Sequence, residues 1–207
     1  MKRLFRGKWG RIARDPGAVS GGAKGAREKD WGAATSSVYP TGASAAFDAG
    51  RPAAEQAAWL AREKPDYLSA APETLLALAR FLHDRNQKPP RLRALRCDGV
   101  APDGLVTLCR EIFGLGPIVA AIVPEFGGLA LQCPEYGNLH GMAEEALLEV
   151  LGASDAPCQP GEAGRLVATA LHNFAMPLLR YDTGLRAEPG PPCGCGRSLP
   201  VLRIITA

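Results

Sequence analysis

The sequence predicts an α/β fold, a βαβ layer followed by a β-rich subdomain, on three observations. Two proline-opened amphipathic helices fall between residues 48 and 85. A strand–helix–strand pattern occupies residues 92–123, and about 30 residues is the size of a βαβ crossover. Beyond residue 125, short apolar runs alternate with turn residues.

From Met1 to about Ala46 the chain is rich in Gly, Ala, Ser and charge without a clear period, which reads as a basic tail or loop with Trp9 and Trp31 as anchors. Asp48 or Gly50 then caps a helix that takes Pro52 in its first turn, runs through AAEQAAWLAREK and stops at Pro65. Pro72 opens the second helix, ETLLALARFLHDR, in which Leu75, Leu76, Leu78, Ala79 and Leu82 form one apolar stripe. LRALRC (92–97) fits a short buried strand. Pro102 starts the helix DGLVTLCREIF, which ends near Gly114 and Gly116, and the β-branched run IVAAIV (118–123) reads as a second, parallel strand. GGLALQC, GRLVATAL (164–171) and MPLLRYDTG follow. Residues 142–151 stay open: Ala, Glu and Leu favour a helix, whereas alternation of Ala146, Leu148 and Val150 permits a strand. The expected divisions are 1–46, 47–132 and 133–207.

A hydrophobic fraction of 46% and a charged fraction of 22% are those of a soluble globular protein. No run of about 18 apolar residues offers a membrane span, and no export signal opens the chain, so a cytoplasmic location is expected. The net charge of +3 is uneven: nine Lys or Arg face three acids in residues 1–30, and the rest is net negative. A basic head alone, with no basic face carrying interleaved aromatics, argues against nucleic acid as a partner.

Six cysteines without an export signal point to thiols or metal, not to disulfides. Cys97 and Cys109 lie in apolar surroundings and read as core. Cys133-x6-His140 and Cys193-x-Cys195 supply three thiols and an imidazole, a closed Cys3His set suited to structural zinc. Pro134 and Gly137 let the first pair turn back, and Gly194 and Gly196 loosen the second. The alternative is four reduced residues in a turn-rich region, with Cys158 as a neighbour. His172 and Asn173 read as a hydrogen-bonded pair in the core or as a substrate contact, and His83 as a cation at a helix C-terminus.

Three segments resemble the phenylacetate–coenzyme A ligase branch of the adenylate-forming acyl- and aryl-CoA ligases. They are PDYLSAAPETLLALA (65–79), EFGGLALQCPEYGNLH (125–140), and PGEAGRLVATALHNFAMPLLRYDTG followed by CGCGRSLPVLRI (160–204). The resemblance implies part of the large domain of that fold. It also implies ATP-dependent adenylation of an aromatic carboxylic acid and thioester formation with coenzyme A, with ATP–magnesium, coenzyme A and zinc as cofactors. Glu125 matches the acidic residue of the family's Y-G-x-[ST]-E motif, the contact to ATP-bound magnesium. Asp98 falls near the adenine-side acidic position, and Arg180 and Tyr181 match R-Y of R-Y-x-x-G-D.

The departures are specific. Ala121 stands at the motif's Tyr, Pro124 at its Ser or Thr, and Leu185 at the Asp that would accept ribose hydroxyls. GAVSGGAKGAR (17–27) is Gly-rich without the order of an S-G-T-T-G-x-P loop. The expectation is a form shortened at both ends, lacking the phosphate loop and the lysine-bearing small domain. Two readings stay open: an enzyme segment of a ligase, or a non-catalytic, zinc-tied binding or scaffold module.

Overall fold

The computed structural model describes residues 8–13, 27–37, 40–102 and 104–205. The chain divides into two units, Met1–Pro117 and Ile118–Ala207. That division falls ahead of the expected boundary after residue 132.

The first unit begins inside the segment expected to be tail or loop. Strand β1 (Trp9–Ala13), the two-residue β2 (Arg27–Glu28), the one-turn α1 (Ala33–Ser36) and β3 (Ser44–Asp48) all draw on it. Sequence alone hides β1 because its pairing is non-local: it lies parallel to β3 on one side and to β4 (Tyr67–Ala70) on the other. The stretch 17–27 lies outside the described residues apart from Arg27. Helix α2 (Ala53–Glu63) starts behind Pro52, which holds the capping position with an extended backbone. Asp48, expected as a cap, instead accepts a hydrogen bond from the Gly50 amide. Lys64 in the left-handed region and then Pro65 end the helix.

Helix α3 (Pro72–Asp84) has proline in its first turn and buries Leu75, Leu78, Ala79 and Leu82, with Leu76 at the stripe's half-exposed margin. It crosses from β4 to the adjacent parallel strand β5 (Ala94–Asp98), so a βαβ crossover runs from Tyr67 to Asp98. Helix α4 (Leu105–Phe113) ends at left-handed Gly114, as expected. The sheet order in this unit is β2-β3-β1-β4-β5, with only β2 antiparallel. Alternate residues face opposite sides: Gly10 abuts Pro65 and Trp59, and Phe47 stacks on Trp59, so α2 covers that face.

One charged residue is central here. Glu63 is 5% exposed, and its carboxylate takes Lys8 Nζ at 2.6 Å, Arg27 Nη2 at 2.6 Å and Arg62 Nε at 3.1 Å. The Arg27 hydrogen bond, opposed by burial and seconded by Lys8 and Arg62, draws its pKa down to about 2.

The second unit is an antiparallel sheet. Its strands are β6 (Ile118–Val123), β7 (Gly127–Gln132), β8 (Leu139–Gly141), β9 (Ala146–Leu151), β10 (Gly164–Ala170), β11 (Tyr181–Pro189) and β12 (Val201–Ile205), in the order β6-β7-β8-β12-β11-β10-β9. β9 settles the open segment as a strand, because β10 pairs along its whole length. Val123, Leu129, Val150, Leu166 and Leu202 form the core of this unit. Among the described residues, no helix is long and apolar enough to cross a membrane.

Candidate functional site

Two groups of side chains in the second unit carry chemistry. The first joins segments 56 residues apart. Glu125 lies in the turn between β6 and β7, Tyr181 opens β11, and the Tyr181 hydroxyl donates to Glu125 Oε1 at 2.9 Å. Phe126 tilts against the Tyr181 ring with centroids 5.8 Å apart. The hydrogen bond to Glu125, then burial, raises the Tyr181 pKa, so the phenol stays a donor at neutral pH. The Glu125 carboxylate is exposed and keeps acceptor capacity toward a ligand.

Arg180 points elsewhere. Its backbone is left-handed (φ 46°), its amide donates to Thr169 Oγ1, and its guanidinium meets Glu149 of β9 at 3.2 Å. Asp182 is held by Arg165 at 2.9 Å, and that bond, with the Gly184 amide, lowers its pKa. Leu185 packs onto the core of the unit, and its side chain offers no acceptor. Asp98 belongs to the first unit, at the end of β5, and its carboxylate is engaged by Arg96. His172 and Asn173 do not form a core pair. Both are exposed: His172 Nε2 lies 2.7 Å from the Glu144 carbonyl, and Asn173 Oδ1 accepts from the Met176 amide. His83, at the end of α3, lies between Asp84 and Glu111.

The second group is a thiol–imidazole cluster. Cys133 directly follows β7, and the chain doubles back at once: its amide donates to the Asn138 carbonyl at 2.7 Å, with Gly137 left-handed at φ 75°. His140 follows on β8, and Cys193 and Cys195 arrive just ahead of β12, which pairs with β8. Gly194 lets the exposed Tyr136 ring lie close, since a Cβ there would stand 3.0 Å from it and the ring would have to shift. The ligand atoms of Cys133, His140, Cys193 and Cys195 all lie within 4.8 Å of one another. Sulfur and nitrogen donors around one tetrahedral zinc stand roughly 3.5–3.8 Å apart. The Cys195 Sγ to His140 Nε2 separation is 3.4 Å. The donor set fits such an ion. Cys158 is not part of it and packs beside the core of the unit.

Electrostatics prepare the cluster for a cation. Burial would raise the Cys133 pKa, but the Tyr136 and Glu135 amides, His140 and Cys195 together bring it down to about 6. Contact with Cys133 raises the pKa of His140. Two neighbours escaped the sequence reading: Asn138 Nδ2 donates to Cys193 Sγ at 3.3 Å, and Arg197 Nη1 approaches Cys133 Sγ at 3.8 Å. Their only signal was closeness in sequence to His140 and Cys195.

Compared by sequence, the chain matches no protein-family model and no curated protein. Its fold is that of part of the acyl- and aryl-CoA ligases. An open conformation of 2-hydroxyisobutyryl-CoA ligase, in complex with 2-HIB-AMP and CoA, superposes with a TM-score of 0.72 at 19% identity, over 96% of this chain and 44% of that one. An anthranilate CoA ligase in complex with anthranoyl-AMP gives 0.59 at 16% identity, over 97% and 40%. A benzoate CoA ligase from Burkholderia xenovorans gives 0.55 at 13%, over 80% and 36%. The chain thus spans less than half the length of these enzymes.

Proposed function

We propose that this chain is a segment of an acid–CoA ligase of the phenylacetate–CoA ligase type, acting on an aromatic carboxylic acid, and that its Cys3His cluster holds a structural zinc. In such a reaction the carboxylate attacks the α-phosphorus of ATP and pyrophosphate leaves. The coenzyme A thiol then takes the acyl group and AMP leaves. In this reading Glu125 meets the magnesium that accompanies ATP, Tyr181 holds that carboxylate in place, and Asp98 lies on the adenine side. Arg180 contributes by fixing the turn into β11 through Glu149 and Thr169. The observation that carries the reading is the 2.9 Å Tyr181–Glu125 bond, which joins the two segments that separately resemble the family's nucleotide motifs. Zinc would be held by Cys133, His140, Cys193 and Cys195, would tie the β7–β8 turn to the start of β12, and would leave no open position for chemistry.

Titration of the chain with ATP and magnesium tests the nucleotide part. Saturable binding, weakened several-fold or more by Glu125→Gln, is expected; no binding, or binding indifferent to that substitution, would remove it. The acid is tested separately, by adding a panel of aryl and alkyl acids with ATP and coenzyme A. A second reading, a zinc-tied binding module without turnover, is favoured by Leu185. Its side chain is spent on the core and offers the ribose no acceptor, a loss of about 1–3 kcal/mol for each unmet hydroxyl.

A further inference from the structure

The sheet of the first unit has two unlike faces. Gly10 turns toward α2, whereas the opposite face carries Trp9, Arg11, Tyr67, Ser69, Arg96 and Asp98. Strand register sets three of these side by side: Arg11 lies opposite Ser69, and Ser69 opposite Arg96, in one row. Arg96 is fixed on that face by Asp98 and by the Trp9 ring, whose centroid is 5.6 Å from its Cζ.

The other two members of the row are unsatisfied. Ser69 is 1% exposed and its hydroxyl has no hydrogen-bond partner; Arg11 Nε is closed to solvent and has none either. Interiors hold few such atoms. Two in adjacent register positions point to one shared partner. Both can donate, so the partner must accept. Among the described residues no carboxylate pairs with Arg11, so the row carries a guanidinium charge left over once Arg96 and Asp98 have neutralised each other. Arg11 is only half-buried and part of it reaches water, but a guanidinium charge beside two unmet donors favours an anion over a neutral acceptor. An oxyanion meets both needs, and guanidinium geometry suits it.

We propose that Arg11 and Ser69, flanked by Arg96, form an oxyanion-binding site on the polar face of this sheet. Its ligand is a carboxylate or a phosphate group. The proposal is argued from residues of the first unit alone and does not rest on the ligase reading.

The test titrates the full chain with sodium phosphate and, separately, with sodium acetate and benzoate, at ionic strength held constant with chloride. Saturable binding of one class is expected. Phosphate identifies a phosphoryl ligand, and acetate or benzoate an organic acid. Arg11→Gln and Ser69→Ala should each weaken that binding about tenfold or more, the loss of a charge-assisted hydrogen bond. Ser69→Ala also removes the buried hydroxyl, so the ligand-free melting temperature should stay level or rise. That keeps the test interpretable if Arg11→Gln folds poorly. No saturable binding of any probe, or binding that Ser69→Ala leaves unchanged, overturns the proposal.

Discussion

Cys97 and Cys109 in the first unit and Cys133 in the second are all buried, yet their thiols titrate in opposite directions. Burial pushes Cys97 up to about 12 and Cys109 up to about 11. Burial presses on Cys133 in the same sense, but amides and an imidazole overcome it and bring that thiol to about 6. Around Cys97 and Cys109 the chain offers apolar packing from α3 and α4. Around Cys133 a tight turn aims backbone N–H groups at the sulfur. Seclusion from water makes a thiol inert; seclusion among donors makes it a ligand.

That contrast is broken most severely by taking away the metal. The purified chain should carry about one zinc ion, and chelation or Cys195→Ser should lower the melting temperature of the second unit markedly, because metal binding free energy is folding free energy at such a site. Metal analysis beside thermal melting checks this, and metal-free protein with an unchanged melting curve would contradict it. Cys97→Ser should instead cost about 1–3 kcal/mol by burying a poorly matched hydroxyl, with metal content unaltered.

Glu63→Gln should cost about 1–3 kcal/mol near neutral pH. The Glu63 carboxylate titrates at about 2 in the folded chain and 4.5 in the reference state. Its contribution is therefore complete above pH 4.5 and lost as the pH falls through 2, so variant and parent should converge over that window in acid denaturation. Alkylation of metal-free protein should rise for Cys133 near pH 6, while Cys97 and Cys109 stay unreactive until about 12 and 11. The smallest effect is expected from Tyr181→Phe. It should weaken ATP–magnesium binding by about three- to tenfold and leave melting nearly unchanged, because the lost bond lies at the surface.

Much of this was legible where neighbours in sequence decide the outcome. Pro72 and the Leu75–Leu82 stripe set α3, and Cys133, His140, Cys193 and Cys195 stood out because Gly and Pro between them allow close return. What escaped depended on distant partners. β1 offers five residues with little pattern, and only β3 and β4, arriving 35 and more residues later, make it a strand. β9 stays open between helix and strand until β10 pairs with it. Glu63 looks like an ordinary charge at a helix end, and nothing local reveals that Lys8 and Arg27 converge on it. Leu185 was seen as a substitution, but its place in the core needed β11 to be folded.

The thiol–imidazole cluster also has a bearing on time. Its donors come from two places in the chain, with His140 and Cys195 separated by 55 residues that include β9, β10 and β11. On a growing polypeptide the Cys133–His140 turn emerges first and offers an ion only two donors. Three strands must then be synthesised and laid down before the other two donors reach it. Tight metal capture would then come after those three strands and ahead of β12, the strand that lies between β8 and β11, so an ion taken up during translation would hold the gap that β12 fills.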